Sequence, residues 1–123
     1  RSDETPDQSV RVLMPAGIDL QVNGAGGVML NSDTSANGIG HIVGTLRRLG
    51  TGWVMPTLIT CEGERILRAA EAGVEAWGMD GFYGLHIEGP HISPARKGTH
   101  RLEYVRPMDD DTLKALRNPA PSR

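Results

Sequence analysis

In the sequence FYGLHIEGP, residues 82–90, a short apolar run lies between Gly81 and the Gly89-Pro90 pair. Apolar side chains that alternate and cluster over residues 82–87 are typical of a short buried strand, and the Gly-Pro pair must end it. Glu88 therefore falls at the carboxyl end of this strand, and His86 points to the same face two residues earlier. The stretch predicts a buried strand that ends in polar side chains.

Two further strand patterns precede this one, over residues 14–22 and residues 53–59. Between them, residues 35–49 repeat apolar side chains at the helical period. The stripe of that helix consists of Ile39, Ile42, Val43, Leu46 and Leu49. Strands that alternate with helices of this length predict an α/β fold built on a parallel sheet.

A second helix is expected after the strand that ends at residue 59. Thr60 is a good N-cap residue, Cys61 is a small residue at the helix start, and two glutamates follow in the first turn. The buried stripe predicted for this helix consists of Ile66, Ala70, Val74 and Trp77. A loop is predicted over residues 89–107, and a short third helix is predicted to begin at residues 109–111.

Each of the three predicted strands ends in polar side chains. In parallel sheets the carboxyl ends of the strands lie at one edge, where binding sites form. The residues in question are Asp19, Gln21 and Asn23 on the first strand, Thr57 and Thr60 near the end of the second, and His86 and Glu88 on the third. Alternation on the first strand is equally typical of any half-solvated strand.

Glu88 is the residue whose chemistry needs an explanation, because an isolated buried carboxylate is costly to desolvate. It must be hydrogen-bonded, paired or bound to a metal. The ordinary alternatives are a carboxylate that caps the following loop and one that pairs with Arg96. In that loop, Arg96, Lys97 and Gly98 could bring a cation and backbone close to an anion, and they could equally form a solvated charged surface.

Composition limits the classes of function. The chain has 123 residues, a formal net charge of −2 and 38% apolar residues, which suits one globular domain and gives no sign of nucleic-acid binding. It has no apolar run long enough to span a membrane, and residues 1–9 lack the apolar centre of a signal peptide. A cytoplasmic location is therefore expected. The single cysteine, Cys61, cannot form an internal disulfide.

The segment LHIEGPHISPARKGTH, residues 85–100, resembles the signature of the N-acetylglucosamine-6-phosphate deacetylases of the amidohydrolase superfamily, and the resemblance extends over residues 15–27 and 50–60. It implies the first three βα units of an incomplete (β/α)8 TIM-like barrel of the metal-dependent hydrolase type, since a full barrel needs roughly 250 residues. Residues 14–123 would form this partial barrel. Residues 1–13 would be the remnant of a small β segment or a disordered lead-in.

The resemblance also implies the residues of a site. Glu88 would be a ligand of one divalent metal per site, with zinc expected, and Thr99 and His100 would contact the sugar substrate. Gln21 and Asn23 stand where many amidohydrolases carry His-x-His. Since amides are poor zinc ligands, this favours a single metal, with Gln21 and Asn23 orienting water or the acetamido group, or supporting the loop. His91 receives no role.

The reaction implied is metal-dependent deacetylation of N-acetylglucosamine 6-phosphate to glucosamine 6-phosphate and acetate. The resemblance places the catalytic aspartate and two histidine ligands beyond Arg123, so no catalytic residue is assigned here and the chain by itself is expected to be inactive. The complete protein would be a homodimer. Two alternatives stay open: another amidohydrolase that acts on a cyclic or linear amide, and a non-catalytic α/β binding fragment.

Overall fold

A computed structural model of the protein describes residues 10–117. The strands are Gly17–Val22 (β1), Gly24–Ala25 (β2), Val28–Met29 (β3), Thr51–Ile59 (β4) and His86–Glu88 (β5). The helices are Ala36–Arg48 (α1), Gly63–Glu75 (α2) and Asp110–Arg117 (α3), with two short 3-10 helices at Pro94–Arg96 and Leu102–Tyr104.

A parallel sheet of three strands in the order β1-β4-β5 forms the centre of the fold. Each of its strands is followed by a helix or by the long loop, so the α/β prediction is confirmed. The short strands β2 and β3 pair antiparallel in a separate hairpin between β1 and α1. Because β4 is flanked on both sides, its carboxyl end lies between those of β1 and β5.

The hydrophobic core lies between β4 and the helices α1 and α2. Its largest fully buried apolar side chains are Leu30, Ile39, Ile42, Val43, Val54, Leu58 and Ile66. Burying a side chain of this size contributes roughly 1.5–3 kcal/mol to folding. These contacts fix both helices against β4 and thereby fix the loops at its carboxyl end.

Helix α1 follows the prediction closely, apart from its last residue. Ser35 is its N-cap, and the Ser35 hydroxyl accepts a hydrogen bond from the N–H of Gly38 at 3.0 Å. Leu46 packs against the core from a half-buried position. Leu49 was wrongly placed in the stripe: it lies past the end of the helix, 78% exposed, where the chain has already turned away from the core.

Helix α2 corrects two predictions. It begins at Gly63, so Glu62 rather than Thr60 occupies the N-cap position, and Cys61 is buried just before it. The fully buried face consists of Ile66, Ala69 and Ala72, whereas Ala70 and Val74 are half-buried. Trp77 is 74% exposed because it follows the end of the helix, so its place in the predicted stripe was wrong.

The strand bounds also differ in detail. The predicted strand over residues 82–87 is represented by a single parallel bridge between Val54 and Phe82 and by the three residues of β5. The strand β1 starts at Gly17 rather than at residue 14. Helix α3 begins where the cluster of aspartates predicted.

The barrel itself, and the role given to residues 1–13, stay predictions. Residues 10–13 contain no helix or strand, and residues 1–9 lie outside the described part of the chain. Among residues 10–117, no helix combines the length and the apolar character that crossing a membrane requires.

Candidate functional site at the carboxyl ends of β4 and β5

The parallel register of β4 and β5 brings polar side chains together at their carboxyl ends. Thr57 pairs with His86 and Ile59 pairs with Glu88. The Thr57 hydroxyl, fully buried, lies 3.3 Å from Nδ1 of His86. The predicted juxtaposition of the ends of these two strands is therefore seen in the structure.

Glu88 is only partly buried, with 31% of its side chain exposed, and its Oε1 lies 3.3 Å from Nε2 of His100. The imidazole of His100 is itself buried. Its other ring nitrogen, Nδ1, lies 2.6 Å from the hydroxyl of Thr60. The three side chains thus form a continuous polar chain, Thr60–His100–Glu88, which joins β4, the long loop and β5.

These contacts exclude one alternative for Glu88, the pair with Arg96. The partner of Glu88 is the ring of His100, and Arg96 is exposed to solvent in the first 3-10 helix. Lys97 serves the loop backbone, since its ammonium donates to the carbonyl oxygens of Gly98 and His100 at 3.3 and 3.1 Å. Thr99, the other residue expected to contact substrate, is exposed beside His100.

The turn after β5 directs the loop so that His100 lies next to Glu88. Gly89 has φ +85° and the peptide bond between Gly89 and Pro90 is cis. A Cβ on Gly89 would lie 2.1 Å from the Thr60 hydroxyl oxygen. A larger residue would therefore displace the Thr60 side chain, so Gly89 is needed for close approach as well as for its backbone conformation.

Asn31 fixes the end of β4 from the other side. Its amide donates to the carbonyl of Ile59 at 3.0 Å and accepts from the N–H of Ile59 at 2.9 Å. The carbonyl of Asn31 is in turn bound by the guanidinium of Arg65, which also pairs with Glu62. The side chain of Asn31 therefore takes the place of a neighbouring strand next to Thr60.

Gln21 and Asn23 lie apart from this chain of contacts. They line an open depression of about 560 Å³ together with the β2–β3 hairpin. Gln21 is exposed, and Asn23 has a buried Nδ2 without a hydrogen-bond partner. Among residues 10–117, no hydrogen bond joins either side chain, or that of Thr99, to Glu88 or His100.

His91, near the start of the loop over residues 89–107, contacts the end of that loop. Its Nδ1 lies 3.0 Å from the carbonyl oxygen of Arg106, which can only accept, so Nδ1 carries the proton of this pair. The opposite nitrogen, Nε2, is buried without a partner. His91 thus anchors the segment near Arg106 and makes no hydrogen bond to Glu88 or His100.

Glu88 has the carboxylate chemistry of a zinc or other divalent-metal ligand. In the part of the chain that the structure describes, however, no three His, Cys, Asp or Glu side chains cluster closely enough to hold a metal ion. Since catalytic zinc sites usually have three protein ligands, these residues fit one part of such a site and do not complete it.

From the sequence, Thr60 was placed at the end of a strand but was predicted to cap a helix. Asn31 was not predicted to be part of the site. The sequence signal for Thr60 was its position at the end of an apolar strand beside Thr57. No local signal pointed to Asn31, because its partner is 28 residues away and an asparagine in a turn has many local explanations.

Comparison with known proteins gives a consistent result. The chain is 42% identical over 91 residues to the N-acetylglucosamine-6-phosphate deacetylase of Haemophilus influenzae and 38% identical over 96 residues to the N-acetylgalactosamine-6-phosphate deacetylase of a Shewanella species. These matches cover 72% and 76% of this chain and 24% of each relative. The human N-acetylglucosamine-6-phosphate deacetylase is 33% identical over 120 residues, which cover 94% of this chain and 29% of its own.

Solved structures agree with this comparison. The N-acetylglucosamine-6-phosphate deacetylase of Pasteurella multocida superposes with a TM-score of 0.78 at 37% identity, over 82% of this chain and 27% of its own. The enzyme of the same name from Thermotoga maritima, at 22% identity, shares the fold with a TM-score of 0.75, over 94% of this chain and 32% of its own. No protein-family model matches the chain.

The chain thus spans about a quarter of the length of the curated relatives that it matches. The segments that carried the resemblance in the sequence contain the strands β1, β4 and β5 and the residues that follow them. The chain is similar to an amino-terminal part of the N-acetylglucosamine-6-phosphate deacetylases.

Proposed function

We propose that the complete protein that contains this chain removes the acetyl group from an N-acetylated amino sugar 6-phosphate, with N-acetylglucosamine 6-phosphate as the first candidate substrate. The observation that carries this proposal is the Glu88–His100 contact at the carboxyl ends of β4 and β5. It lies within the segment that resembles the family signature. Relatives named for glucosamine and for galactosamine substrates both match the chain, so the two sugars need a direct comparison.

Glu88 would serve as one ligand of a single divalent metal, with zinc expected. A bound metal of this kind would polarise an amide carbonyl and lower the pKa of its bound water toward about 7. Glu88 is suited to this role because its carboxylate is partly exposed and is oriented by His100 rather than neutralised by an arginine. The remaining ligands and the catalytic aspartate would come from parts of the protein outside this chain.

Four residues of the chain would bind the substrate. His100 and the exposed hydroxyl of Thr99 lie next to one another in the loop that reaches Glu88. Asn23 offers a buried amide N–H without a partner, and Gln21 offers an exposed amide in the same depression. A buried donor without a partner is costly, so a ligand or water that accepts from Asn23 would remove that cost.

We also propose a place for the chain in the barrel, the cell and the oligomer. We infer that it forms the first three βα units of a (β/α)8 barrel, which further strands would close beside β1 and β5. The 123-residue chain alone would then lack deacetylase activity, and the complete enzyme would be a cytoplasmic homodimer. The alternatives of another amide substrate and of a binding fragment have no specific observation in their favour.

Acetate release tests the function directly. The complete protein and the 123-residue chain are assayed with zinc on N-acetylglucosamine 6-phosphate, N-acetylgalactosamine 6-phosphate and unphosphorylated N-acetylglucosamine. We expect the complete protein to deacetylate at least one phosphorylated sugar and the chain alone to deacetylate none. Absence of turnover by the metal-loaded complete protein on both phosphorylated sugars would contradict the proposal, and rapid turnover by the chain alone would contradict the incomplete site.

A further inference from the structure

We propose that Thr60 is a positioning residue: its hydroxyl holds the ring of His100 in the orientation that points Nε2 at the carboxylate of Glu88. The proposal concerns a residue that touches neither a metal nor a substrate in the account above. It rests on the proposed function only for its catalytic consequence. Its structural content can be tested on the chain alone.

The geometry around Thr60 leaves its hydroxyl little freedom. Thr60 and His100 are 4% and 6% exposed, so water cannot readily replace either partner. The Thr60 oxygen lies 2.6 Å from Nδ1 of His100 and 3.3 Å from the backbone carbonyl oxygen of Glu88. A single hydroxyl is therefore placed between the ring of His100 and the residue that the ring faces.

The orientation of the ring follows from its two contacts. Nδ1 of His100 faces the Thr60 hydroxyl at 2.6 Å, and Nε2 faces Oε1 of Glu88 at 3.3 Å. A half-turn of the ring would bring carbon atoms to both places, so the contact with Thr60 and the contact with Glu88 are kept or lost together.

Two neighbours hold Thr60 in this position. Asn31 binds both backbone groups of Ile59, the residue directly before Thr60, which fixes the direction in which the Thr60 side chain leaves β4. Gly89 leaves room for the hydroxyl, since any Cβ there would overlap with it. The placement of Thr60 is therefore determined by residues on two different segments.

In the proposed enzyme, loss of the Thr60 hydroxyl would change the orientation of the Glu88 carboxylate. Partners that hydrogen-bond to a metal ligand typically change metal affinity or activity by about 10–100-fold when they are lost. Without the hydroxyl of Thr60, the ring of His100 can rotate, and Glu88 loses a fixed partner. We expect kcat to fall by about this factor and KM to rise as well, because His100 both orients Glu88 and is proposed to contact the sugar, and we expect Thr60→Ser to restore both.

The test uses Thr60→Val, which keeps the shape and removes the hydroxyl, and Thr60→Ser, which restores the hydroxyl. Thr51→Val, at the opposite end of β4, is the matched control. Nitrogen-15 NMR of the histidine rings in the 123-residue chain, with His100→Asn to assign the signals, reports whether the ring of His100 stays in one fixed environment. Thr60→Ala repeats the comparison where Thr60→Val does not fold.

The expected result is one set of His100 ring signals that is the same in the unsubstituted chain, in Thr60→Ser and in Thr51→Val, and that shifts or splits in Thr60→Val. An unchanged ring spectrum in folded Thr60→Val, or an equal change in Thr51→Val, would overturn the proposal. Kinetics of the same variants in the complete protein add the predicted fall in kcat. If the complete protein has no deacetylase activity, the proposed function fails while the NMR result still decides the role of Thr60.

Discussion

Asn31 and Ile59 are 28 residues apart in the chain, yet the amide of Asn31 satisfies both the N–H and the carbonyl of Ile59, at 2.9 and 3.0 Å. Two simultaneous bonds to one backbone residue hold the carboxyl end of β4 at a fixed distance from the β2–β3 hairpin. The end of a strand that supplies Thr60 to the site is thereby made rigid by a side chain outside the sheet.

Replacing Asn31 by Ala should destabilise the chain by about 2–4 kcal/mol, because two hydrogen bonds are lost and two backbone groups are left without a partner. Asn31→Asp should also destabilise, since a carboxylate can still accept from the N–H of Ile59 but faces its carbonyl oxygen. Chemical denaturation checks both, with Asn37→Ala, on the exposed side of α1, as control. Equal stability of Asn31→Ala and Asn37→Ala would show that the Asn31 contacts contribute nothing.

Asp109 should make the chain sensitive to acid. The N–H and hydroxyl of Thr112 and the guanidinium of Arg106 all donate to its carboxylate and lower its pKa from 3.8 to about 2. A carboxyl whose pKa is lower in the folded state stabilises the fold above its ordinary pKa, and this contribution is lost as the pH falls through about 2.

Thermal unfolding of Asp109→Asn from pH 7 to pH 2 measures this contribution. The melting temperature should lie below that of the unsubstituted chain at neutral pH, and the gap should narrow steadily below about pH 4. Asp110→Asn is the matched control, because it removes the same charge from an exposed position at the start of α3. A gap of constant size across this range would contradict the assignment.

Cys61 should be chemically inert in the folded chain. Burial first, and the nearby charge of Glu62 second, raise the pKa of its thiol to about 11. Because the thiolate is the reactive form, modification by a thiol reagent at pH 8 should be much slower in the native chain than in denaturant. Comparable rates in the two conditions would mean that the thiol is neither buried nor shifted.

The 123-residue chain should associate in solution. Ile18 and Leu20 on β1 are 61% and 57% exposed, and β1 and β5 are both edges of the three-stranded sheet. Exposed strand edges of this kind favour pairing between chains. Sedimentation at increasing concentration should show association that Ile18→Lys reduces. A monomer with a sharply cooperative melt would contradict this prediction.

The sequence predicted most of what depends on local patterns. The periodicity in α1 identified Ile39, Ile42 and Val43 as core residues, and the strand ending in Glu88 was located by its apolar run and its Gly-Pro terminator. The wrong predictions, Leu49 and Trp77, lie at the ends of helices. The apolar repeat in the sequence continues past the residue at which each helix ends.

Contacts that depend on tertiary structure could not be derived in the same way. Thr60 has the chemistry of a helix cap, and only the return of the loop through Gly89 gives it His100 as a partner. The choice of His100 over Arg96 as the partner of Glu88 likewise depends on the path of the loop. The sequence limited the candidates for the site, and the geometry selected among them.

The proposal that Glu88 is a metal ligand can be tested by the metal content of Glu88→Gln in the complete protein. Glutamine keeps the volume and hydrogen-bonding capacity but removes the charge, so bound metal and acetate release should fall together. Glu103→Gln is the control, since Glu103 is an exposed residue paired with Arg101. A Glu88→Gln protein that retains stoichiometric metal and near-normal turnover would contradict the account.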